Sequence, residues 1–421
     1  MRGQVLSVSS SLDSVWQVIQ PEGVDHIFVF STLQHAELST INGEQADWYD
    51  LTAGTSATGY NIFINLTDAH TYRVVQDAQS ETFVVFDYSQ YRLTDDSLSV
   101  LLSCDGTLLN THIRAMEYTD TAHLARNVIR ECSISYNTLT WDESGWMPAV
   151  AEDSIYLASN NSIQLPKQLT YTDYTIYGDQ IAEYFYHTQD SVSSIGYDPI
   201  AFAHHAQSYT TTRGTALENE VERPIQETTI KGSAPLNILF RANASGPIDY
   251  YLWTIRHFEN VIGTRTESEQ RFIFEEKGAY TVQLEMANAH DCRCDTTFED
   301  ISVSESLLLV PNVFTPNGDG ANDEFRVAYR SIRQFHCWVY NRWGHLVYEW
   351  DDPAKGWDGT IGGRPAPEGA YYYIIRALGT DAATDQYMSK PKFNKTRREH
   401  PDNIIGVYQL SGAVNLLRGK R

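Results

Sequence analysis

The residues best suited to chemistry lie in one stretch, "VPNVFTPNGDGANDEFRVAYRS", Val310 to Ser331. Asn317, Asp319 and Asp323 have the alternating spacing of oxygen ligands in a calcium loop, and Gly318 and Gly320 allow a tight bend between them. A helix–loop–helix calcium site also needs a Glu at its twelfth position, which counted from Asn317 is Ala328, and the flanks read as strands. The reading preferred here is an Asx-type turn whose side chains cap their own backbone, with calcium at Asn317, Asp319 and Asp323 kept as the alternative. A second cluster, "HDCRC" (His290, Asp291, Cys292, Cys294), lacks another Cys/His pair at zinc-site spacing and reads as a turn. His204 and His205 are adjacent, so on a strand they point to opposite faces and make a poor ligand pair. Trp141 and Trp146 in "TWDESGWMPAV" are read as packing residues rather than a sugar-stacking platform. No His-Glu-x-x-His, Gly-x-Ser-x-Gly or Gly-x-x-x-x-Gly-Lys occurs, so no catalytic residue is assigned and the chain is expected not to be an enzyme.

The elements that must position these residues are β-strands. The 421 residues carry a formal charge of −23, which argues against nucleic acid as a partner. The composition is 42% hydrophobic and 20% charged, with 26 Tyr, which suits globular, strand-rich domains. No apolar run approaches the length of a membrane span. The start, "MRGQVLSVSSSLDSVWQVIQ", lacks an export signal's apolar core, which suggests a mature form if the chain is exported. The five cysteines are no disulfide scaffold, and Cys104 with Cys132 is the candidate pair.

Strand patterns recur along the chain. "GYNIFINL" alternates Tyr60, Ile62 and Ile64; "ETFVVFDYSQYRL" is strand-like; "YTVQLEMAN" sets Tyr280, Val282, Leu284 and Met286 on one face. Asn42-Gly43, Lys277-Gly278, Asn317-Gly318 and Arg342-Trp343-Gly344 mark turns, and "TAHLARNVIRE" (Thr121–Glu131) has a helical pattern. The expected class is all-β: serial immunoglobulin-like sandwiches over 1–95, 96–225 and 226–305, then a small sandwich over 306–421.

Two of these units resemble known families. In Gly232–Val303, Ala234-Pro235, "YYLWTI" with Trp253, and "KGAYTV" with Tyr280 are similar to polycystic-kidney-disease repeats, although Lys277 replaces a Pro and the acidic-glycine turn is absent. Residues 306–421 resemble the gliding-motility-associated C-terminal domain of Bacteroidetes, the type B sorting domain of the type IX secretion system. The matching motifs, in order, are Asn312-Val313-Phe314-Thr315-Pro316-Asn317-Gly318-Asp319-Gly320, Asn322-Asp323, Asn341-Arg342-Trp343-Gly344, Gly356-Trp357-Asp358-Gly359, Gly369-Ala370-Tyr371 and the closing strand with Gly412 and Arg418. A longer, more basic stretch, "SKPKFNKTRREHPDNIIGVYQL", departs from the pattern. The resemblance implies export to the cell surface or medium, the type IX translocon and outer-membrane components as partners, and no cofactor. It implies an adhesive, scaffolding or interaction role for the cargo. A glycan- or peptide-binding surface protein is the first alternative, and a secreted enzyme with an unrecognised site the second. The last strand with basic Arg418, Lys420 and Arg421 is expected to dock on the translocon by edge pairing or charge.

Overall fold

A computed structural model describes residues 6–10, 15–41, 43–93, 98–158, 162–211, 219–224, 230–383 and 405–418. Asn42, Lys420, Arg421 and residues 389–404 of the basic stretch lie outside the described residues. The chain divides into two compact units, Met1–Ala203 and His204–Arg421. Both are built almost wholly of β-sheet. Among the described residues no helix is long and apolar enough to cross a membrane.

In the first unit a six-stranded sheet runs in the order Val15–Gln17, His26–Phe30, Gln79–Asp87, Thr71–Gln76, Ala46–Asp50, Thr55–Tyr60. Its central strands are apolar on both faces because both faces are covered. One face packs Trp48, Tyr72 and Phe83 with Leu38 of a second, three-stranded sheet. The other packs Val29, Val84 and Phe86 against Met116, Tyr118 and Val128 and against Ile181 and Ala182 of a short helix, Gln180–Tyr186. The core therefore continues past residue 96, where a boundary was expected. A second pair of sheets, led by the hairpin Arg130–Trp141 and Trp146–Leu157, encloses Leu109, Ile134, Tyr136, Tyr174 and Ile176.

Two strand-level expectations need correction. The run Gly59–Leu66 is not one strand: Tyr60 ends Thr55–Tyr60 in the six-stranded sheet, Ile62–Phe63 pairs into the three-stranded sheet, and Tyr60, Ile62 and Ile64 are exposed. The inward residue between them is Phe63, stacked on Trp48 at 5.4 Å. Thr121–Glu131 is not helical. Ala125–Val128 pairs with Met116–Thr119 as a hairpin, burying Val128 and leaving Leu124 and Ile129 exposed.

The second unit opens earlier than the expected boundary at 225. His204–Thr210 pairs along its whole length with Leu236–Ala244, so it belongs to the following sandwich. That sandwich has a three-stranded sheet and a five-stranded one, with Trp253, Phe240 and the row Tyr280, Val282, Leu284 and Met286 buried between them. The row matches the period-two reading. Trp253 Nε1 donates to the Glu267 carbonyl at 2.8 Å, which satisfies the indole at the centre of the core. The C-terminal domain is a five-stranded sheet in the order Val313–Phe314, Val407–Leu416, Gly369–Gly379, Ile332–Tyr340, Leu346–Trp350, with a two-stranded sheet of Leu307–Leu309 and Ala328–Arg330. Its core is aromatic, centred on Trp357, Phe314 and Phe325.

Candidate functional site

The Asn317–Asp323 stretch is a loop closed by its own side chains. Asp323 accepts the amides of Asn317 at 2.9 Å and Gly318 at 2.7 Å on one oxygen, and that of Gly320 at 2.8 Å on the other. Asn317 Oδ1 accepts the Asp319 amide at 3.0 Å, and Asp319 accepts the Ala321 amide at 2.8 Å and Asn317 Nδ2 at 2.8 Å. The amides of Gly318 and Gly320, with a lesser contribution from Asn317, hold the Asp323 carboxyl below the usual carboxylate range against an opposing effect of desolvation. Gly318 and Gly320 adopt positive φ, as the bend requires, and so does Asn322, whose carbonyl accepts the Thr315 amide at 2.8 Å. Both oxygens of Asp323 point at N–H donors. That is the geometry of a self-capped turn.

The remaining motif residues divide into those that build the fold and those that face solvent. Trp357 is fully buried. Its indole donates to the Thr360 carbonyl at 2.7 Å, and its ring packs on Phe314 at 5.4 Å and edge-on to Tyr371 at 4.9 Å. Asp358 caps the next turn through the Thr360 amide and hydroxyl, at 2.9 and 2.8 Å. A Cβ on Gly359 would stand 3.0–3.2 Å from Leu416, Pro316 and Phe314, at positive φ, so only glycine fits this corner. Gly369 also has positive φ, at the start of its strand. Tyr371 donates its hydroxyl to the Pro367 carbonyl at 2.9 Å. A side chain at Gly412 would meet the Tyr373 hydroxyl at 2.6 Å. The Asn312 carbonyl accepts the Asn415 amide at 2.9 Å, joining the first strand to the last. Asn341 caps its hairpin by accepting the amides of Trp343 and His345, both at 3.0 Å, and Gly344 turns the chain at positive φ. Arg342 and Trp343 stack on each other at 4.2 Å, and Trp343 is 69% exposed.

Arg418 departs from expectation. Its guanidinium turns inward, donating to the carbonyls of Gly359 at 2.9 Å and Ala366 at 3.4 Å and lying 3.5 Å from that of Pro316. It clamps the end of the last strand to the loop corner and is not a free docking charge. The last strand is also not a bare edge at its end. Asn415 and Leu416 pair in parallel with Val313 and Phe314.

The other candidate residues are structural. Asn288 caps the "HDCRC" turn through the amides of His290 and Cys292, both at 3.1 Å, and Asp291 pairs with Arg293 at 2.8 Å. Cys132 is a free thiol in the core, so the Cys104–Cys132 pair is not made; burial pushes the thiol up to about 12. Its strand sets it on the same buried face as Ile134 and Tyr136. His204 bonds Thr296 Oγ1 at 2.6 Å through Nε2. Trp141 and Trp146 face each other edge-on at 5.4 Å as the last pair of the hairpin before the Asp142–Gly145 turn, where no flat platform is presented. Among the described residues no group of three or more His, Cys, Asp or Glu side chains could hold a metal.

Comparison with known proteins places this geometry. Residues 308–389 match the CHU_C type IX secretion signal domain. Residues 101–194 match the fibronectin type III domain, in line with the sandwich seen there. No curated protein sequence matches the chain. Solved structures with some likeness include a tetra-tandem repeat in the extending region of a large adhesion protein, 13% identical over 93% of this chain and 97% of that one, TM-score 0.21. Dimeric latent PorU from Porphyromonas gingivalis is 10% identical over 88% of this chain and 40% of that one, TM-score 0.16. Escherichia coli alpha-2-macroglobulin activated by porcine elastase is 9% identical over 91% and 42%, TM-score 0.18. Scores this low carry no functional information. The matched signal domain supports export through the type IX system, which implies a cell-surface or secreted location.

Proposed function

We propose that residues 306–421 act as the address and that the sandwiches before them act outside the cell as adhesive, scaffolding or interaction modules, without catalysis. The observation that carries the reading is the matched signal domain, whose motif residues form a rigid, self-capped loop and corner. The partners on this reading are the type IX translocon and outer-membrane components during export, and an extracellular protein or glycan afterwards. The non-catalytic reading is supported by how the cargo's carboxylates are used. Asp179 pairs with Arg130, Asp120 with Arg126 and Asp50 with His70, each inside a structural network.

The test expresses the chain behind an export signal in a host with type IX machinery and in one lacking it, with and without residues 306–421. The proposal requires surface or medium localisation only for the complete chain in the first host. Equal periplasmic retention of every form would sink it.

A further inference from the structure

One strand edge of the sorting domain takes partners from outside residues 306–421. Its short strand Ala328–Arg330 pairs on one side with Leu307–Leu309. On the other side runs Asn219–Val221, from ahead of the preceding sandwich's Lys231–Val303 portion. Glu220 bridges Tyr329 in parallel. The Tyr329 amide donates to the Asn219 carbonyl at 3.0 Å, and the Val221 amide donates to the Tyr329 carbonyl at 2.8 Å. Asn219 Nδ2 donates to the carbonyls of Val327 at 2.9 Å and Pro353 at 2.7 Å. Four main-chain groups of the sorting domain thus take partners from this segment, and Tyr329 itself is part of the domain's core. Buried or half-buried main-chain groups left without partners are costly, and an uncovered strand edge invites wrong pairing.

The end of the segment is locked as well. Glu222 pairs with Arg330 and accepts the Ser304 hydroxyl at 2.6 Å. Beside it the buried Ser331 hydroxyl accepts the Ala234 amide at 2.9 Å and donates to the Ser304 carbonyl at 3.1 Å. These contacts hold the sorting domain against the sandwich in one orientation.

We propose that Asn219–Glu222 is a donor strand of the export signal, so that the competent address is the pair of segments 219–224 and 306–421 rather than the C-terminal segment alone. The inference rests on the export reading above. Asn219, Glu222 and Arg330 are positioning residues that present the address.

The test uses the full chain behind an export signal, in hosts with and without type IX machinery. Its variants are Asn219→Ala, Glu222→Arg, Arg330→Glu and the double swap Glu222→Arg/Arg330→Glu. Asn219→Ala lowers the exported amount roughly tenfold, because two carbonyls lose their donor. Each charge reversal lowers export too, and the double swap, which rebuilds the ion pair, restores it towards the parent. Material retained in the periplasm stays protease-resistant over residues 1–203. Single variants exported like the parent, while the parent still needs the machinery, would overturn the donor-strand role and leave the export reading standing. Protease sensitivity throughout the chain, with no recovery in the swap, also counts against it. A parent whose export ignores the machinery would remove the export reading, and this inference with it.

Discussion

Asp179 and Asp323 both gather backbone amides, one inside the unit 1–203 and the other on the surface of the unit 204–421. Asp179 caps the helix Gln180–Tyr186 through the amides of Ile181 at 3.0 Å and Ala182 at 2.9 Å. It also accepts the Tyr88 hydroxyl at 2.6 Å and pairs with Arg130, whose guanidinium reaches the Tyr91 carbonyl at 2.6 Å. Neither ionic side chain meets water, with exposures of 0% for Asp179 and 1% for Arg130. Asp323 has amides alone. The difference follows from solvation. A buried carboxylate needs a counter-charge and a donor for every lone pair, whereas an exposed one needs only enough amides to fix a loop, and water screens the rest. The first arrangement ties a helix, a strand and a turn into one core. The second fixes the shape of one exposed loop.

The largest effect that would break this comparison comes from Arg130. Arg130→Ala leaves Asp179 buried and unpaired, and a loss of about 3–5 kcal/mol in unfolding stability is expected by denaturant titration. The double variant Arg130→Met/Asp179→Leu recovers much of that loss if the charge, not the packing, is what costs. A double variant as unstable as the single would show that the network is valued for its geometry. Burial, reinforced by the Asp179 charge, also raises the Tyr88 phenol well above its ordinary range. Its neutral form is the folded one, so its contribution is fully present below the unfolded tyrosine value of about 10 and is lost as pH rises from there through the raised folded value.

A smaller effect sharpens the comparison on the exposed side. Asn341→Ala removes two amide contacts from the hairpin turn, for an expected cost of about 1 kcal/mol, read from the melting midpoint. Smaller still in global stability is Asp323→Ala. Its signature is local: faster amide exchange at Gly318 and Gly320 by NMR, with little change in the midpoint. The pH dependence has a definite sign. The Asp323 carboxyl lies below its unfolded value in the folded loop. Its contribution is therefore present above the ordinary Asp value of about 3.9 and lost as pH falls through the depressed one. Protection of the two glycine amides should vanish in that acid window, and protection that persists through it would contradict the account.

What could be read from the sequence follows the same physics. Tyr280, Val282, Leu284 and Met286 were legible because an antiparallel strand with one buried face must alternate. The turn at Asn317–Asp323 was legible because Asn, Asp and Gly at that spacing cap themselves locally. Thr121–Glu131 misled because its apolar spacing mimics a helix, while pairing with Met116–Thr119 decides its form. The helix Gln180–Tyr186, only seven residues long and capped by Asp179, was not anticipated, because so short a segment shows no helical period. The boundary near 225 was misplaced because "HHAQSYT" is mostly half-buried and shows no alternation. Arg418 and Asn219 act through contacts with residues far away in sequence, which no local pattern reveals.

The most direct measurement compares surface exposure of the complete chain in hosts with and without type IX machinery, by protease shaving of intact cells. The account predicts shaving in the first host and protection in the second. Equal shaving in both, or protection in both, would contradict it.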